Sequence, residues 1–97
     1  MDKVIKLAIE KYGKESQVLV AVEEMSELQK ELLKNVNRGK QNIADIVCEI
    51  VDVQIMLEQL IIIYDIDKNT LDFQTEYKIE RLKERLKEEI IAWQTKK

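Results

Sequence analysis

Two short acidic runs, Glu23-Glu24-Met-Ser-Glu27 and Glu49-Ile-Val-Asp52, hold the residues of this chain best suited to chemistry. A helix turns by about 100° per residue, so Glu24 with Glu27, and Glu49 with Asp52, each project from one side of a helix. Acids spaced this closely repel. Glu23 with Glu27 and Glu27 with Glu31 are like-charge i,i+4 pairs, each costing about 0.2–0.5 kcal/mol on an isolated helix. Lys30 and Lys34 offset the outer members, whereas Glu24 has no basic residue four positions on. The second run is the costlier one. It lies in residues 43–64, IADIVCEIVDVQIMLEQLIIIY, an apolar stretch with no basic residue. Asp45, Glu49 and Asp52 share one narrow arc there, which Met56, Leu60 and Ile63 continue, and the rest of the circumference is largely apolar.

A helix apolar all round is expected to be buried. Carboxylates on it need compensation from another helix, from protons or from a bound metal ion. If the two acidic helices are antiparallel neighbours, Glu24, Glu27, Glu49 and Asp52 face one another. Four oxygen donors without thiolate or imidazole suit a hard cation, Mg²⁺ or Mn²⁺, better than Zn²⁺ or a preformed Ca²⁺ cage. Asp45 either extends the site or sits at its wet edge, outside the direct ligands, and Glu23 taken alone reads, like Glu31, as a solvated residue. Cys48 is read as a small packed hydrophobe, because no histidine exists to activate it. Further on, Lys78, Arg81 and Arg85 fall on one helical row beside Ile79, Leu82 and Leu86. Taken alone, the row reads as a salt-bridged surface, since Glu80, Glu84 and Glu88 interleave with Lys83 and Lys87. Beside a metal-bearing acidic cluster, such cations would grip the distal phosphates of a polyphosphate.

The elements that position these residues are easily read, since the chain has no proline and only Gly13 and Gly39. The pattern predicts helix 1 over 2–12, with Val4, Ile5, Ala8, Ile9 and Tyr12 inward and Gly13 as its stop. Helix 2 is expected over 15–36, with Val18, Ala21, Val22, Met25, Leu28, Leu32 and Val36 on the core face. A polar turn around Gly39 precedes helix 3, which runs to Tyr64. Asp65–Thr70 breaks the chain again, with Asp67 or Thr70 available as an N-cap. Helix 4 is expected over 70–93, with Leu71, Ile79, Leu82, Leu86, Ile90 and Trp93 inward. The expected fold is all-α, a four-helix bundle with a short first helix, in one domain over 1–97.

Composition narrows the function. The 97 residues carry 16 basic and 19 acidic side chains, net −3, which argues against nucleic acid as a partner. No histidine is present, which excludes the Glu-x-x-His di-iron bundle site. One cysteine, no leader pattern and an apolar stretch interrupted by acids together predict a cytoplasmic protein with no membrane partner. Helix 3 needs cover on every side. A single-chain bundle would leave Val51, Ile55 and Ile62 in water, so a homo-oligomer is expected, a homodimer or a dimer of dimers around helices 2 and 3.

Glu23-Glu24-x-x-Glu27, followed after 21 residues by Glu49-x-x-Asp52, resembles the EExxE…ExxD signature of the all-α nucleotide pyrophosphohydrolases. That superfamily includes MazG-type enzymes, dimeric dUTPases and phosphoribosyl-ATP pyrophosphohydrolases. The segments VEEMSELQKELLK and VDVQIMLEQL are most similar to its small phage and bacterial MazG-like members, and the resemblance spans roughly residues 15–85. It implies Mg²⁺ ligation by Glu24, Glu27, Glu49 and Asp52 and phosphate binding by Lys78 and Arg81. It also implies hydrolysis of a nucleoside triphosphate to monophosphate and pyrophosphate, with Glu23 or a ligand carboxylate orienting the water. Two positions depart from the pattern. Cys48 stands where many relatives carry a second acid, and Leu82 where a basic residue or Asn is common. The alternative expectation is a non-catalytic helical interaction or regulatory protein of the same fold.

Overall fold

A computed structural model describes residues 2–96 of the chain. These residues form five helices: α1 (Asp2–Tyr12), α2 (Lys14–Arg38), α3 (Ile43–Ile63), α4 (Lys68–Arg85) and α5 (Lys87–Lys96). The fold is all-α, and no strand occurs among the described residues. Two compact units divide at the end of α3, Met1–Asp65 and Ile66–Lys97.

In the first unit the two glycines punctuate as their missing Cβ allows. Gly13 takes φ 91°, and Gly39 takes φ 63° at the C-terminus of α2, both left-handed values that favour glycine. Lys34 O closes the end of α2 by accepting from the Gly39 and Lys40 amides. Asp65, at φ 50°, plays the same stopping role after α3, a conformation that Asp tolerates better than most residues.

Three polar contacts establish how α2 and α3 run. Gln17 Nε2 donates to Gln59 Oε1 at 2.7 Å, Glu24 lies beside Glu49 and Asp52, and Asn42 Nδ2 donates to Glu31 O and Oε1, each at 2.9 Å. Rising numbers on α2 meet falling numbers on α3, so the helices are antiparallel. The buried apolar core is small: Ile5 and Ile9 of α1, Ala21 of α2 and Met56 of α3. Gln17, Gln59 and Asn42 are buried with them.

The inward faces differ from the expected ones. Val22, Leu32 and Val36 are exposed, as are Val4 and Tyr12 of α1. Helix α3 is not covered all round either: Ile43, Val47, Ile50, Val51 and Leu57 all face solvent. The reason is the seam. Its contacts run through Gln17, Glu24 and Glu31 on α2 and through Asn42, Glu49 and Gln59 on α3, which turns part of the apolar surface of both helices outward.

In the second unit the expected single helix over 70–93 starts at Lys68, with Asp67 at the N-cap position, and is interrupted at Leu86. The Leu86 amide is shared between Leu82 O at 3.0 Å and Lys83 O at 3.2 Å, a local tightening, while Ile90 N–H still reaches Leu86 O at 2.8 Å. Leu71 and Ile90 are half-buried, whereas Ile79, Leu82, Leu86 and Trp93 are exposed. Among the described residues no helix is long and apolar enough to cross a membrane.

Candidate functional site

The antiparallel register sets the acidic turn of α2 against that of α3. Glu24, Glu49 and Asp52 each bring one carboxylate oxygen within 4.8 Å of the others. Glu24 and Glu49 are half-buried and Asp52 is exposed. Glu49 Oε2 is the notable atom. It is buried and, among the described residues, has no hydrogen-bond partner. Burial pushes the Glu49 carboxyl above the ordinary glutamate range, and the charges of Asp52, Glu24, Glu27 and Glu31 push the same way. Glu24 is raised for the same reasons: burial first, then Asp52, Glu23 and Glu27.

The other candidates stand apart from that trio. The Glu27 carboxylate is exposed and lies 3.6 Å from Lys30 Nζ, contributing charge to the cluster without joining its convergent oxygens. Glu23 and Asp45 are exposed on the same two helices. Cys48 is exposed rather than packed, because α3 turns that side away from its neighbours. Lys78 and Arg81 belong to α4, in the second unit. There they line a shallow depression with Arg85, and the Arg81 guanidinium sits 5.8 Å from the Tyr77 ring centre.

Glu31 is the residue that pattern reading placed wrongly. Its side chain is only 14% exposed, and it accepts from Asn42 Nδ2 at 2.9 Å and Lys34 Nζ at 3.0 Å. Those two donors hold its carboxyl below the ordinary range. Asn42 in turn accepts from Asn35 Nδ2 at 3.4 Å. This network pins the start of α3 to α2 about two turns from Glu24, and so helps position Glu49 beside it. The only sequence signal was the 3–4 spacing of Gln17, Ala21, Glu24, Leu28, Glu31 and Asn35, a row that is mostly polar.

Three oxygens in this arrangement could hold a hard divalent cation. The donor set contains no soft ligand, and the orphaned Glu49 oxygen lacks the partner that a buried carboxylate oxygen needs. The residues therefore fit Mg²⁺ or Mn²⁺.

A pH response follows from the opposed shifts. Glu24 and Glu49 bind protons more tightly in the folded chain, so metal-free stability should fall as pH rises above the ordinary glutamate value of about 4.3 toward neutrality. Glu31 has the opposite sign: its contribution is present above the unfolded value and is lost as pH falls through its lower folded value. Urea midpoints in EDTA across that range should show a decline on the alkaline side. A flat profile there would contradict the upward shift that burial and the neighbouring acids impose on Glu24 and Glu49.

Comparisons with family models, curated proteins and solved structures find nothing that matches this chain.

Proposed function

We propose that the protein is a Mg²⁺-dependent nucleotide pyrophosphohydrolase that converts a nucleoside triphosphate to its monophosphate and pyrophosphate, with Mn²⁺ as a substitute cation. The observation that carries the reading is the convergence of Glu24, Glu49 and Asp52 around an unpartnered buried oxygen of Glu49. The resemblance of EExxE…ExxD to the signature of the all-α pyrophosphohydrolases supports it.

In this reading Glu24, Glu49 and Asp52 hold the cation, and Glu27 completes the set by leaving Lys30. When bound, the cation supplies charge neutralisation at the phosphates and acidifies a water molecule. The chain's own groups do the rest. Glu23, exposed at the edge of the cluster, accepts a proton from the attacking water, a task for which the chain offers no histidine. In the second unit Lys78 and Arg81 offer positive charge suited to phosphate oxygens, with the Arg81 guanidinium over the Tyr77 ring. The protein acts in the cytoplasm as a homodimer or a dimer of dimers.

The test is pyrophosphate release from a panel of nucleoside triphosphates with Mg²⁺, with Mn²⁺ and in EDTA. Cation-dependent release of pyrophosphate is expected, with no orthophosphate formed first. The exposed apolar faces of α2 and α3 favour a second reading, a non-catalytic interaction protein. Absence of release from every triphosphate with both cations would replace the first reading by the second.

A further inference from the structure

We propose that Lys30, Lys34 and Arg38 form a phosphate-binding row on α2. It takes the terminal phosphates of a polyphosphate chain whose inner phosphate meets the cation at Glu24, Glu49 and Asp52. Glu27, Lys30, Lys34 and Arg38 succeed one another at spacings of three and four residues, so they share one side of α2. The acidic cluster opens on that side, since the Glu27 charge acts on both Glu24 and Glu49. Row and cluster belong to the same compact unit. Together with Leu33 and Asn37, the three cations line an open depression of about 530 Å³, a volume within the range of small-molecule sites.

Charge identifies the ligand. Residues 30–41 hold four basic side chains and one acid, in a chain of net −3. The acid, Glu31, already accepts from Asn42 and Lys34. Arg38 makes no salt bridge among the described residues. Cations complement the C-terminus of a helix, but that end carries only about half a unit of negative charge. The excess calls for an anion of several charges, and the Arg38 fork and two ammonium groups suit phosphate oxygens. From Lys30 to Arg38 the row rises about 12 Å along α2. Beyond Lys30 the same side carries Glu27 and Glu23, which would repel an extended nucleic-acid backbone. A compact polyphosphate ends before them or meets them through a cation.

Lys30 is also coupled to the cation site. Its Nζ lies 3.6 Å from Glu27 Oε1, an exposed pair that is readily exchanged. When Glu27 turns to the cation, Lys30 is released beside it and takes a phosphate oxygen instead. The inference rests on the proposed cation site for where the polyphosphate begins, but the affinity of the row does not depend on turnover.

The experiment is calorimetric titration of inorganic tripolyphosphate into the full chain, in EDTA at low salt. Binding is expected, and it should weaken as salt is added. Lys30→Gln and Arg38→Gln are each expected to raise the dissociation constant by about tenfold. Both side chains are exposed, so helical circular dichroism should not change. Glu27→Gln frees Lys30 and should tighten binding by about threefold. Absence of tripolyphosphate binding would overturn the inference. So would binding that survives Lys30→Gln and Arg38→Gln but is lost on Lys78→Gln and Arg81→Gln, which would place the phosphates on α4. If no nucleoside triphosphate releases pyrophosphate while tripolyphosphate still binds at Lys30 and Arg38, the proposed reaction fails and the row stands.

Discussion

Replacing Glu49 with Gln is expected to abolish stabilisation by Mg²⁺ and to lower pyrophosphate release by about 100-fold or more, since even outer-shell losses at metal sites reach that size. The same substitution should leave the metal-free protein as stable as before, or more stable. Burial and four neighbouring acids oppose the Glu49 charge, and its Oε2 is buried without a partner. Gln removes the charge at nearly constant shape and gives Glu24 or Asp52 a donor. Melting in EDTA, then with saturating Mg²⁺, separates the two effects. A large loss of stability in EDTA would show that Glu49 serves the fold, and a preserved Mg²⁺ response would remove it from the ligand set.

The largest effect on stability is expected at the other end of the seam. Gln17 and Gln59 are 6% and 4% exposed and share a 2.7 Å hydrogen bond across 42 residues of chain. Gln17→Leu leaves the Gln59 oxygen buried without its donor, at a cost of about 1–3 kcal/mol. Changing Gln59 to Leu as well removes the stranded group, so the double variant should recover most of that loss. Urea unfolding of the two single variants and the double variant measures the coupling. Additive losses would mean that the hydrogen bond contributes little and that each glutamine matters only through its packing.

Helix boundaries were legible wherever local chemistry decides them. Gly13 and Gly39 end helices because they reach left-handed φ without strain, and Asp65 ends α3 for a related reason. The break at Leu86 had no such residue to announce it. It consists of one amide shared between two carbonyls, a geometry that the surrounding sequence does not signal. The acidic cluster was legible for a different reason: Glu49 and Asp52 conflict with the apolar stretch that carries them, and a conflict of that kind is visible without coordinates.

The sequence by itself determined an all-helical chain and the turns that carry its acids, because these depend on neighbours three or four residues away. It also marked Glu24, Glu27, Glu49 and Asp52 as residues that would meet if α2 and α3 ran antiparallel, and Glu27 alone of the four stays outside the convergent trio. Only the tertiary structure decided which sides of those helices meet. Counting apolar residues placed Val22, Leu32 and Val36 inside, but each helix carries more apolar surface than one neighbour can cover. The pairing was decided by Gln17 with Gln59 and Asn42 with Glu31, hydrogen bonds between residues 42 and 11 positions apart. Directional bonds of that kind favour one register over others of similar apolar content. They bring Glu24 to Glu49, leave Glu27 beside Lys30, and turn Val22, Val36, Ile43 and Ile50 outward.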